Sequence, residues 1–155
     1  MGQADDAEPK QLNITGISGI DTQHGEFIAL YDELLDYLGK EALSFDFVYD
    51  SLQKIMKNLK SHFSTEEKLM EMTGFPGAEK HKSLHKKLYK QFSDTVKAVK
   101  KTKDINITDI VRAMRDADME HIRLYDAEYV SHVENLITLG EKYNITSVRA
   151  QTLIK

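Results

Sequence analysis

Apolar residues along this chain recur at intervals of three and four, the period of helices that bury one face. His24, Phe27, Ile28, Tyr31, Leu34, Leu35 and Leu38 make the first stripe, with Asp21 placed to cap its start and Gly39 to end it. The second follows Ser44 through Leu52, Ile55, Met56, Leu59, His62, Phe63, Glu66, Leu69 and Met70, and stops at the breakers of "TGFPG". The third, over about 78 to 101, carries His81, Leu84, His85, Leu88, Phe92, Val96 and Val99. Thr108 is placed to cap a fourth, in which Ile110, Val111, Met114, Asp118, His121, Tyr125, Glu128 and Tyr129 trace a face that is only partly apolar. "LNITGISGID" reads as a packed, non-helical arm before the first helix, and "NLITLGEKYNITSVRAQTLIK" as the end of the fourth with a short helical tail. Four amphipathic helices with short connections predict an all-α protein, an antiparallel up-down four-helix bundle. The expected organisation is a single domain over residues 1–155 with its bundle core at about 21–131.

Composition narrows the chemistry. The net charge of −4 provides no basic field for nucleic acid or an acidic membrane surface, so neither is an expected partner. The nine lysines between Lys80 and Lys103 read as the solvated face of the third helix, with an acidic partner as the alternative. No apolar run reaches transmembrane length and "MGQADDAEPK" is too polar for a secretory leader, which predicts a cytoplasmic protein with no membrane insertion. Cysteine is absent, so any metal must be held by nitrogen and oxygen.

The polar residues inside the apolar stripes carry the functional signal. His62 with Glu66, and His81 with His85, are four apart and share a helix face. A buried imidazole or carboxylate needs a partner, because desolvation without compensation costs about several kcal/mol. Taken singly, each pair reads equally as satisfied core histidines. Together, His24, His62, Glu66, His81, His85 and His121 on four stripes point to a shared metal site. Imidazoles with carboxylates suit iron, manganese, zinc or nickel, and five histidines exceed the needs of one tetrahedral zinc, which favours two metals and, among them, iron. Spacing leaves the last carboxylate open. Glu128, seven residues after His121, lies on nearly the same helix face, whereas Asp126, five residues on, lies about 140° around an ideal helix.

The segments "GIDTQH", "HFSTEEKLM" followed by "GFPGAEKHKSLH", and "HIRLYD" resemble the bacterial hemerythrins and their invertebrate hemerythrin and myohemerythrin relatives, from about Gly16 to Tyr129. The resemblance implies seven metal ligands: His81, His85 and His121 on one iron, His24 and His62 on the other, and Glu66 and Asp126 bridging the two. Asp126 thereby displaces Glu128. It also implies two iron ions joined by an oxo or hydroxo bridge, with molecular oxygen bound reversibly at the two-histidine iron. His132 matches no ligand and is expected at the surface, as is Glu67. Ile28, Phe63, Asp118 and Ile122 are the expected walls of the oxygen pocket or close supports of the ligands.

One departure bears on function. Relatives commonly carry "WL" four and three residues before the last histidine ligand, with the leucine lining the oxygen pocket. This chain has Ala117 and Asp118 there and no tryptophan. Asp118 turned inward would favour a quickly oxidised sensor or a peroxide-handling centre; turned outward it would be inert. The leading expectation is a non-enzymatic oxygen-binding protein for storage, transport or delivery, acting as a monomer. The alternatives are an oxygen- or redox-sensing module, acting through a protein partner or fused signalling domain, and a peroxidase-like di-iron enzyme.

Overall fold

The computed structural model describes residues 18–40, 43–102 and 106–142. They form α1 (Ser18–Leu38), α2 (Phe45–Thr73), α3 (Ala78–Lys101) and α4 (Ile107–His121), then a π-helical turn (Ile122–Asp126) that leads without a break into α5 (Ala127–Lys142). Because α4, the π turn and α5 make one rod, the architecture is the expected four-helix bundle. Within it α1 packs on α2 and α4, and α2 also packs on α3. No helix among the described residues is long and apolar enough to cross a membrane.

Local chemistry explains most helix ends. The Ser44 side chain accepts a hydrogen bond from the Phe47 amide at 3.4 Å and starts α2. Gly74, at φ +63°, ends it in the left-handed region, and the Phe75 amide returns to the Met70 carbonyl at 3.0 Å. Two expected caps differ. The α1 helix begins at Ser18, so Asp21 lies within it and not at its cap, and the expected non-helical arm gives up its last residues to the helix. The rest of that arm and the tail beyond residue 142 lie outside the described residues. On α4 the cap is Asn106, whose side chain accepts from the Asp109 amide at 3.2 Å; Thr108 falls inside the helix. Asparagine two residues upstream offered the same chemistry at the true boundary.

The core divides in two. Phe27, Ile28, Tyr31, Leu34, Leu52, Ile55, Leu59, Phe63, Phe92, Val96, Met114 and Ile122 belong to a large apolar cluster. Ile20, Leu69, Met70, Tyr129 and Val133 form a smaller one. Along α1, α2 and the π turn, the residues between these clusters are His24, His62 with Glu66, and Asp126. Burying each large apolar side chain contributes about 1.5–3 kcal/mol, so both clusters that flank the polar layer stabilise the bundle.

Candidate metal centre

Seven side chains meet in that layer: His24 from α1, His62 and Glu66 from α2, His81 and His85 from α3, His121 from α4 and Asp126 from the π turn. All are buried, with His121 the most exposed at 6%. Their donor atoms fall into two groups, each drawn within 4.8 Å: Glu66, His81, His85, His121 and Asp126 in one, and His24, His62, Glu66 and Asp126 in the other. The two carboxylates belong to both.

Individual oxygens resolve this sharing. Glu66 Oε1 lies 2.8 Å from His62 Nε2 and 3.5 Å from His24 Nε2. Its Oε2 lies 3.0 Å from His85 Nε2 and 3.5 Å from His81 Nε2. Asp126 repeats the pattern, with Oδ2 at 3.3 Å from His24 Nε2 and Oδ1 at 3.1 and 3.2 Å from Nε2 of His81 and His121. Each carboxylate therefore turns one oxygen to the two-histidine group and the other to the three-histidine group.

The π turn decides the last carboxylate. On an ideal α-helix Asp126 would stand about 140° from His121. In a π turn the hydrogen bond runs to the fifth residue, so five positions complete about one turn and bring Asp126 under His121. Glu128, the alternative that spacing leaves open, is exposed. Periodicity could not find this, because a π turn shifts the period without a distinctive sequence mark.

These contacts are close but poorly satisfied as hydrogen bonds. Glu66 Oε2, both Asp126 oxygens and Nε2 of His81, His85 and His121 are buried and lack an aligned hydrogen-bond partner despite the short N···O distances. His24 Nε2 also faces His62 Nε2 at 3.0 Å, two imidazole nitrogens nose to nose. Buried polar atoms converging without mutual hydrogen bonds are the condition that a cation relieves. An all-nitrogen-and-oxygen set with two shared carboxylates fits a pair of iron ions.

The two carboxylates give the layer an excess of negative charge. Burial depresses His24 and His81, yet the neighbouring carboxylates of Asp126 and Glu66 outweigh it and lift both to about 9. Burial pushes Glu66 and Asp126 upward, and for Asp126 the neighbouring Glu66 adds to that, but the surrounding histidines hold both carboxyls below the usual range. Ionised carboxylates are the form a metal needs.

Supporting contacts include residues that periodicity left unassigned. His62 Nδ1–H donates to Gln23 Oε1 at 3.2 Å, and Gln23 Nε2 donates to Thr65 Oγ1 at 3.0 Å. His85 Nδ1–H donates to Glu67 Oε1 at 3.0 Å, so Glu67 is a half-buried partner of a site histidine and not merely solvated surface. Both contacts fix the tautomer that leaves Nε2 facing the centre. Tyr129 donates to Glu66 Oε1 at 3.0 Å. His132 is half-buried, not at the surface, and bonds the Thr73 carbonyl at 2.8 Å. The adjacency of Gln23 to His24 and of Glu67 to Glu66 was the available sequence signal.

The expected pocket residues Ile28, Phe63, Asp118 and Ile122 are all buried. Phe63 stacks on His85 with ring centres 3.9 Å apart. Asp118 is 2% exposed and accepts from the Tyr31 hydroxyl at 2.5 Å, so it points into the bundle, and Tyr31 does more than pack. Burial, partly offset by that bond, raises Asp118 to about 7, and burial with the neighbouring carboxyl raises Tyr31 well above the usual phenol range. Beside Ala117, a cleft of about 230 Å³ reaches His121 from the surface.

Residues 15–133 match the Hemerythrin HHE cation binding domain. The chain belongs to the hemerythrin family. It is 28% identical to a bacteriohemerythrin of Aquifex aeolicus (strain VF5) over 123 residues, covering 79% of this chain and 91% of the relative. It is 30% identical over 124 residues to one of Stenotrophomonas maltophilia (strain R551-3), covering 79% and 78%. A bacteriohemerythrin of Pseudomonas aeruginosa (strain LESB58) is 28% identical over 123 residues, covering 78% and 77%. No solved structure gives a significant match. Hemerythrin membership and the buried cluster together support oxygen-binding chemistry at a site that fits two irons.

Proposed function

We propose that this hemerythrin-family chain binds molecular oxygen reversibly at a non-haem di-iron centre, for storage, transport or delivery. The observation that carries the reading is the division of oxygens in Glu66 and Asp126, one facing each histidine group. In this reading His81, His85 and His121 would hold one iron and His24 and His62 the other, with Glu66 and Asp126 shared between them. When bound, the iron pair would supply the redox chemistry for reversible oxygen binding.

The chain's own groups set the conditions. Glu66 and Asp126 would offer one oxygen to each metal and offset the metal charge. Gln23 and Glu67 orient His62 and His85 through the far ring nitrogens. The two-histidine group has one donor residue fewer than its neighbour, which leaves the place for an exogenous ligand there. Phe27, with ring centres 5.7 Å from His24 and 5.3 Å from His62, and Phe63 keep the surroundings apolar and restrict water.

The test is iron content together with stopped-flow spectra of the diferrous protein mixed with oxygen. Two irons per chain and an oxygenated species that reverts on removing oxygen are expected. Immediate conversion to diferric protein would refute reversible binding and favour a peroxidase-like centre, the second reading, which the inward orientation of Asp118 supports.

A further inference from the structure

Eight histidine and acid side chains are buried among the described residues, and seven of them form the centre. The eighth is Asp118. It stands one helical turn before His121 and belongs to neither group of converging donors. Its partner Tyr31 lies two turns along α1 from His24, on the same helix face. The charges that act on Asp118 are those of Asp126 and Glu66, which both groups share, and of His24, which belongs to the two-histidine group. With Tyr31 on the His24 face of α1, this places the pair beside the half of the centre that has one donor residue fewer.

Tyr31 has a single hydroxyl proton and spends it on Asp118 Oδ2. What the pair then presents to a neighbour is acceptor capacity and, with the carboxyl ionised, negative charge. The cations of a loaded centre favour that ionised form. We propose that the Tyr31–Asp118 pair is a ligand-discriminating wall of the two-histidine half, selecting neutral, proton-bearing ligands such as water and hydrogen peroxide over small anions. The pair works by charge and hydrogen bonding: a ligand that carries a proton donates it to Asp118, while an anion meets a like charge in a site of low dielectric. The inference deepens the di-iron reading and rests on it.

The experiment uses the full chain loaded with iron at pH 8, comparing the parent with Asp118→Asn, which keeps the shape, and Asp118→Leu. Azide affinity of the diferric centre is read by optical titration, and nitric oxide affinity of the diferrous centre serves as the uncharged control. Both variants are expected to bind azide more tightly by about tenfold or more, with nitric oxide affinity changed less than about threefold and two irons per chain retained. Azide affinities within twofold of the parent would overturn the proposal. So would equal tightening of azide and nitric oxide, which would mean that Asp118 acts only by occupying space. A parent that fails to load two irons would instead refute the di-iron reading, and the inference with it.

Discussion

Deleting Leu124 tests whether the π turn is what brings Asp126 to the centre. Leu124 is 42% exposed and sits in the middle of that turn, so its removal costs little packing. Deletion lets the segment relax to regular α-helix, with the aspartate now four residues from His121. Four residues rotate the chain to about 40° from His121, against about 140° for five. With carboxylate oxygens about 5.5 Å from the helix axis, a 40° offset displaces them by about 4 Å, within reach of a side-chain rotation. Inserting an alanine after Leu124 has the opposite effect. It swings Asp126 by about 100°, or about 8 Å, well outside the 4.8 Å span of the donor groups. The deletion should therefore retain two irons per chain, while the insertion should lose metal and lower the melting temperature, since Tyr129 and Val133 rotate with it. Metal analysis after iron reconstitution, with thermal melts followed by circular dichroism, reads both. A deletion that loses iron while the insertion keeps it would refute the account of the π turn.

Three further outcomes follow from the same geometry. In the metal-free protein, His24 and His81 are raised from 6.5 to about 9, so the stability they contribute is fully present below about pH 6.5 and is lost as pH rises through 9. Asp118, raised to about 7, loses stability in the same direction over a lower range, so the urea midpoint should fall steadily from pH 6 to 9.5; a flat midpoint would contradict this. Glu67→Ala removes the acceptor from His85 Nδ1 and should weaken iron retention about 10- to 100-fold in a chelator competition, with the helical content unchanged. Gly74→Ala places a Cβ at φ +63° with no atom within 4 Å, so its cost is backbone strain alone, about 1–2 kcal/mol, read as a lower melting temperature with an unaltered iron spectrum.

The bundle and most of its site were legible in the periodicity. Stripes that carry His24, His62 with Glu66, and His81 with His85 place those groups on buried faces wherever the helices pack, because a 3.6-residue period and apolar burial leave little choice. The pattern could not choose between Asp126 and Glu128, since residue rotation was counted on an ideal helix. The π turn that changes the count lets α4 carry His121 to the centre while α5 still buries Tyr129 and Val133. The roles of Gln23 and Glu67 depend on which helix comes to lie beside them, so no local pattern carries them.

Asp118 marks the boundary most clearly. Its interval from His121 placed it on the α4 stripe, but a carboxyl there could as well have turned to solvent. Residue order alone determined four amphipathic helices and which faces carry nitrogen and oxygen donors, because those properties are local and set by spacing. Only the packing of α1 against α4 decided that Asp118 meets Tyr31, residues 87 positions apart, inside the protein. Only the convergence of all four helices decided which oxygen of each shared carboxylate faces which histidines. Both are contacts between distant segments, and a period along one chain carries no information about the neighbour that packs across from it.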